Sequence, residues 1–242
     1  MPERNPNGTF PLGSPWWFTD KVIRKHLAES ASLMKGRLLD VGCGWKPYRN
    51  LFACDEYVGM EWTDAYRPDV VGDVRDMRMF VAGEFDSVLC NQMLEHVDDV
   101  ARALSEIHRV LKPGGCLCIT VPFIGRLHCV PHDYWRFSPY GLRCVLERAG
   151  FDVLTLRGMG GFGTTQCFLW SFYTYERCQR FRLARALHAG ALWLLNPLFW
   201  LIHRLDRDQT TSFNYLAIAR KRTGAKSETE TPEPQAAAAG AI

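Results

Sequence analysis

The segment from Arg126 to Ser138 holds the densest group of side chains able to accept or hold a proton. It reads RLHCVPHDYWRFS and contains two histidines, an aspartate and two arginines. A histidine with an ordinary pKa of about 6.5 can take a proton at neutral pH. We therefore predict that His132 is a general base, with Asp133 either orienting it or pairing with Arg136. A purely structural role for His132 and Asp133 stays open.

His96, in the stretch LEHVDDV, is the second candidate for a proton acceptor. No set of His, Cys or carboxylate residues in the sequence has the spacing of a metal site, so no metal is predicted. The nine cysteines form no CxxC pair, and several lie within apolar runs. This usage favours reduced thiols and a cytoplasmic location.

A second group of interest is the turn Asp40–Gly44, which follows the apolar run that starts at Arg37. Gly42 and Gly44 would let a ligand approach the backbone closely, because neither carries a Cβ atom. Doubly wound sheets bind ligands at the carboxyl ends of their strands, which is where such a turn lies. A nicotinamide-binding loop would carry a third glycine where this chain has Pro47, and this disfavours an NAD-dependent oxidoreductase.

These two groups need a scaffold, and apolar runs alternate with helical patterns along the chain. Strands are predicted over Arg37–Gly42, Tyr57–Glu61, Phe85–Asn91, Cys116–Pro122, Phe151–Arg157 and Ser212–Arg220. Helices are predicted over Trp16–Ser32, Tyr48–Phe52, Val100–Leu111 and Pro139–Gly150, with a tight turn at Lys112–Gly115. The alternation predicts an α/β fold, a Rossmann-like and mostly parallel sheet with helices on both faces.

The length of 242 residues fits one domain. We expect an N-terminal segment and helix over 1–32, the domain over 33–222 and a disordered tail over 223–242, which lacks aromatic residues. The formal net charge of +3 is too small to indicate nucleic-acid binding.

An apolar helical insertion is predicted before the last strand, at about 170–208. Within it, Asn196-Pro197 resembles a helix start, so two helices are expected to meet there. On a helical wheel one side carries Arg185, His188, Asn196, His203 and Arg207, and the other carries Leu183, Leu187, Leu194, Leu201 and Leu205. Over 181–206 the stretch either covers the side of the site where a substrate would bind or forms a homodimer contact. Alternatively it lies in a membrane surface, at the inner face of the membrane, and brings the site to a lipid-linked substrate.

The motifs together resemble the class I S-adenosylmethionine-dependent methyltransferase family. LLDVGCG, GDVRDM, FDSVLCNQMLEHV and LKPGGCLCITVP follow one another in the order and at the spacing of that family, and HDYWRF resembles the stretch after its fifth strand. The resemblance covers roughly 38–151 and the last strand. It implies the α/β fold already expected, and S-adenosylmethionine as cofactor.

The resemblance also implies roles for single residues. Glu61 is expected to accept hydrogen bonds from the ribose hydroxyls, and Asp73 with Val74 to hold the adenine. Asn91 is expected beside the methionine half, and Asp40, Gly42, Gly44 and Trp62 complete the expected cofactor contacts. The expected reaction is methyl transfer to a small-molecule, glycan or lipid-linked acceptor by in-line displacement. A methyltransferase-like module that binds without catalysing is the alternative.

Overall fold

A computed structural model describes residues 8–208 and 210–223. Seven strands form one sheet in the order β3-β2-β1-β4-β5-β7-β6. They are β1 Arg37–Val41, β2 Glu56–Glu61, β3 Val70–Val71, β4 Phe85–Asn91, β5 Leu111–Pro122, β6 Phe151–Gly158 and β7 Asn214–Lys221. The first five are parallel, whereas β7 runs antiparallel between β5 and β6.

Helices cover both faces of this sheet, which confirms the predicted fold class. They are α1 Pro15–Ser30, α2 Val100–Val110, α3 Pro139–Arg148, α4 Phe162–Cys178 and α5 Arg182–Leu205. One apolar cluster joins α2 and α3 to one face, and a second joins α1, α4 and α5 to the other. Since apolar side chains are buried on both sides, the inner residues of the central strands are mainly apolar, as in parallel strands generally.

The local predictions need three corrections. The helix expected over Tyr48–Phe52 is only a short 3-10 turn, Arg49–Leu51. Lys112–Gly115 is part of β5, but Phe85 lies opposite Leu111 and Ser87 opposite Cys116, so these residues bulge out of the ladder. The apolar insertion begins at Phe162, earlier than about 170. Apart from Thr223, the tail predicted to be disordered lies outside the described residues.

The prediction of two helices meeting at Asn196-Pro197 is wrong, because α5 is continuous and contains Pro197. Asn196 is not a helix cap. Its side chain is buried and donates to the carbonyls of Leu12 and Ser14, in the segment before α1. This tertiary contact favours a helix that continues past Pro197, whose ring lies on the exposed side of α5.

Candidate active site

The glycine turn after β1 leaves an open space above its backbone. Gly42 has φ +73°, and a Cβ atom there would come within 2.4 Å of the Met93 side chain. Gly44 has φ +48°, and a Cβ atom there would meet nothing within 4 Å. Gly42 is thus required by packing, whereas Gly44 borders space that a ligand can fill.

Glu61 ends β2 directly beside this turn. Its carboxylate accepts hydrogen bonds from the backbone N–H of Gly44, at 3.0 Å, and of Trp62, at 3.0 Å. The side chain is buried against the turn rather than directed into solvent. A carboxylate in this place can turn to accept from ligand hydroxyls above the turn.

Asp40 lies beneath the turn and faces protein. Tyr57 donates a hydrogen bond to its carboxylate, and burial raises the pKa of Asp40 to about 7. The same burial raises the pKa of the neighbouring Cys43 thiol to about 12. Asp40 therefore supports the turn from below, and Cys43 stays an unreactive thiol.

Three more expected cofactor residues follow β2 and β3. Trp62 is 71% exposed, and its ring lies 5.9 Å from that of His132. Asp73 pairs with Arg75 at 2.6 Å, which lowers the pKa of the aspartate. Val74 is buried behind it. The Asp73 carboxylate is thus ionised and held in place just after the end of β3.

Asn91 ends β4 and continues this row of polar groups. Its side-chain oxygen accepts a hydrogen bond from Thr120 Oγ1 at 2.7 Å. The next residue, Gln92, has φ +50° and donates its backbone N–H to the Thr120 carbonyl at 3.0 Å. The chain turns sharply here and directs Gln92 towards a neighbouring cavity.

This cavity, of about 270 Å³, lies between α1, α4 and the ends of β4 and β5. Its lining is mainly apolar and aromatic, with Gln92, Arg126 and His128 among its polar residues. The apolar residues that line it include Phe10, Trp16, Ile23, Pro122, Phe168 and Phe172. A pocket of this size and polarity suits a small apolar ring better than a sugar or a peptide.

A buried carboxylate stands behind His128. Glu95 is completely buried, and neither of its oxygens has a hydrogen-bond partner among the described residues. Its Oε1 lies 3.7 Å from His96 Nε2 and 3.8 Å from His128 Nε2, and the two rings are 4.7 Å apart. Interaction with Glu95 raises the pKa of His128. A histidine so placed is a stronger base than a free one.

The same three residues, Glu95, His96 and His128, offer metal-ligand atoms within 4.8 Å of one another. The spacing argument that predicted no metal could not detect them, because His128 belongs to a remote segment. The available signal was LEH after one strand and a histidine after the next. His96 and the segment that contains His128 could be found from the sequence, whereas Glu95 was assigned no chemical role.

His132 lies outside the cavity. It is exposed, and its Nδ1 lies 3.2 Å from the Tyr134 hydroxyl. Asp133 does not orient it. Instead Asp133 pairs with Arg136 at 2.6 Å, which lowers its pKa to about 2, and accepts the His128 backbone N–H at 2.9 Å. Of the two arrangements foreseen for Asp133, the structure contains the pair with Arg136.

The comparisons with known proteins agree with this geometry. A family model described as a methyltransferase domain matches residues 39–119. The ubiquinone biosynthesis O-methyltransferase of Pseudomonas aeruginosa (strain LESB58) is 31% identical over 164 residues, covering 56% of this chain and 67% of that protein. The protein of the same description from Chromobacterium violaceum is 32% identical over 36% of this chain, and the match spans only 45% of its length.

Solved structures match the fold over most of the chain. The 4+2 cyclase SpnF has a TM-score of 0.57 and 23% identity, over 86% of this chain and 83% of its own. A SAM-dependent methyltransferase from Archaeoglobus fulgidus has a TM-score of 0.54 and 17% identity, over 83% of this chain and 94% of its own. Identity to the Pseudomonas protein over two thirds of its length shows that this chain belongs to the class I methyltransferases, whose methyl donor is S-adenosylmethionine.

Proposed function

We propose that the protein transfers a methyl group from S-adenosylmethionine to a hydroxyl group on an apolar aromatic acceptor. The observation that carries this proposal is the aromatic cavity beside the end of β4, with His128 in its wall. The cavity is next to Asn91, where the resemblance expects the methionine half of the cofactor. Donor and acceptor would then meet at one edge of the sheet.

The residues of the turn fit the cofactor. The open space above Gly44, the Glu61 carboxylate at its base and the ionised Asp73 beyond the next strand could hold an adenosyl group. Trp62 offers an exposed aromatic face nearby. When bound, S-adenosylmethionine supplies an electrophilic methyl group on a sulfonium sulfur.

The protein itself positions the acceptor, excludes water from it and supplies a base. Aromatic walls from α1 and α4 exclude water from the acceptor and fix its ring. One ring nitrogen of His128 takes the hydroxyl proton, and the buried Glu95 carboxylate stabilises the imidazolium that results. His132, the base predicted from sequence, would have to act from outside the cavity.

The relatives support an acceptor of this class. The relatives from Pseudomonas aeruginosa and Marinobacter nauticus are described as ubiquinone biosynthesis O-methyltransferases. Methylation at oxygen on an aromatic ring agrees with the apolar cavity and with a histidine base. A cytoplasmic location follows from the same proposal, because the donor is a cytosolic metabolite.

The test is incubation with methyl-labelled S-adenosylmethionine and phenols or catechols that carry alkyl chains of increasing length. We expect a labelled methyl ether, with KM falling as the chain lengthens. If calorimetry shows cofactor binding but neither this series nor a cell lipid extract is labelled, the protein is a binding module. Heat from NAD and none from S-adenosylmethionine would instead favour an oxidoreductase.

A further inference from the structure

Helix α5 turns an apolar face away from the protein. Its leucines Leu183, Leu187, Leu194, Leu198, Leu201 and Leu205 are between 49% and 72% exposed and share one side of the helix. The buried side carries Leu192, Asn196, Phe199 and His203. The leucine side of the predicted wheel is therefore exposed, and of the predicted polar side Asn196 and His203 face the protein, whereas Arg185 is exposed. A continuous apolar stripe of this length on a surface marks a contact with another apolar phase.

The surroundings of this stripe are basic. Between Arg177 and Leu205 the sequence has no acidic residue and five arginines, at 177, 180, 182, 185 and 204. All five are exposed, and none forms a salt bridge with a carboxylate in the described part of the chain. Arg177 lies over the Tyr173 ring at 5.1 Å. Exposed arginines without carboxylate partners, beside exposed leucines, are complementary to an anionic headgroup layer over acyl chains.

Polar contacts at three positions fix the C-terminal half of α5 to the rest of the protein. Asn196 donates to the carbonyls before α1, and His203 Nδ1 lies 3.3 Å from Thr164 Oγ1 in α4. Beyond the helix end, Asp206 accepts from Thr164 Oγ1 at 2.7 Å. By length and composition α5 is apolar enough to cross a bilayer. With these anchors in place, the helix can only lie along a surface.

Helix α4 packs against α5 and also lines the acceptor cavity. Phe168 and Phe172 line the cavity, while Trp170 and Tyr173 on the same helix are more than half exposed. A second cavity, of about 390 Å³, shares Phe168, Phe172 and Arg126 with the first and reaches Trp170 and Tyr173. The two cavities would thus offer an acceptor a mainly apolar route from the outer surface of α4 to His128, past the ion pair of Arg126 with Glu176.

We propose that α5 docks in the surface of an anionic bilayer and that the acceptor is drawn from that bilayer. The leucine stripe enters the acyl boundary, the arginines contact headgroups, and α4 leads to the cavity. The choice of a membrane over a second copy of the chain rests on charge, since two such basic faces would repel each other. The origin of the acceptor rests on the proposed function, whereas docking does not.

The test is flotation of the full chain with vesicles of phosphatidylcholine alone or mixed with phosphatidylglycerol. The parent should float with the mixed vesicles and less with the neutral ones. The double variant Leu187→Glu/Leu194→Glu should partition at least about tenfold less. Arg182→Gln/Arg185→Gln should remove the preference for the anionic lipid, and added salt should do the same to the parent.

The matched control is Val81→Glu/Leu154→Glu, which places two charges at exposed apolar positions away from α5. It should float like the parent. Calorimetry with S-adenosylmethionine checks that each variant is folded. The proposal is overturned if the parent does not float, or if Leu187→Glu/Leu194→Glu floats as well as the control Val81→Glu/Leu154→Glu. A parent dimer that does not float and that Leu187→Glu/Leu194→Glu converts to a monomer would assign the stripe to a second copy.

Docking and catalysis fail separately in this design. Flotation needs no acceptor, and methylation of a short-chain phenol in free solution needs no vesicle. If the protein floats but methylates nothing, the proposed function is refuted and the docking of α5 is not. If it methylates in solution but never floats, the docking of α5 is refuted and the proposed function is not.

Discussion

At the scale of single residues, Gly44 is the position where the chain meets the space for a cofactor. Gly44→Val would fill that space and force a β-branched residue to φ +48°. We expect its Kd for S-adenosylmethionine to rise about tenfold or more. Gly190→Val is the matched control, because a Cβ atom there also meets nothing within 4 Å but lies on α5. Calorimetry on both variants measures the difference, and equal affinities would remove Gly44 from the site.

The two histidines of the loop after β5 are separated by one pair of variants. His128→Gln should lower kcat about a hundredfold while leaving the Kd for S-adenosylmethionine unchanged, because the base would be lost and the cofactor contacts kept. His132→Gln should lower kcat far less, since His132 lies outside the cavity. Turnover and calorimetry decide the matter. The opposite ranking would restore the base predicted from sequence.

Glu95 should set the pH at which that base works. Glu95, Asp133, Arg126 and His96 surround His128, and Glu95 contributes most to its raised pKa. Activity needs neutral His128, so kcat/KM should rise with pH through a value above 6.5. Glu95→Gln should move this limb to lower pH. The profile is measured with and without a chelator, because the same donors could share a cation. A lower rate with an unmoved limb would mean that Glu95 has only a structural role.

At the scale of elements, α5 shows what pattern alone can and cannot predict. The sequence indicated an amphipathic stretch with a leucine side and a polar side, but the expected division into two helices at Asn196-Pro197 was wrong. It could not show which side faces the protein, because that depends on carbonyls of Leu12 and Ser14 that only the fold brings near Asn196. The strands were easier, since each is a local apolar run. The cluster of Glu95 and His128 was missed for the same long-range reason as the orientation of α5.

The anchor at Asn196 makes a direct prediction about stability. Asn196→Leu removes the donor to the part-buried Leu12 carbonyl and leaves the Ser14 carbonyl with only the Trp17 N–H among the described residues, so the free energy of unfolding should fall by about 1–3 kcal/mol. Leu194→Gln, two residues away on the exposed side, should change it by no more than about 0.5 kcal/mol. Urea unfolding followed by circular dichroism compares the two. A larger loss for Leu194→Gln would mean that the leucine stripe, not the polar side, is packed in solution.

At the scale of the whole molecule, two buried histidines join the helices over one face of the sheet. His26 of α1 and His203 of α5 have ring centres 5.9 Å apart, and neither residue is more than 7% exposed. Burial lowers the pKa of His26 to about 3 and that of His203 to about 4. Both are therefore neutral in the folded protein at any pH near neutrality.

This burial should make the helical layer sensitive to acid. Below pH 6.5 the unfolded chain binds protons at these two sites that the folded chain does not, so stability falls as the pH falls towards 4. The loss reaches about 2 kcal/mol per histidine between pH 6.5 and 5.

His128 acts in the opposite sense, because its folded pKa is raised and protonation stabilises the fold. The comparison must therefore be between parent and variant. His26→Leu/His203→Leu removes both buried imidazoles, and Thr164 keeps Asp206 as a partner. Urea unfolding from pH 7 to 5 should show a flatter decline for this double variant than for the parent. Parallel declines would mean that acid acts elsewhere than between α1 and α5.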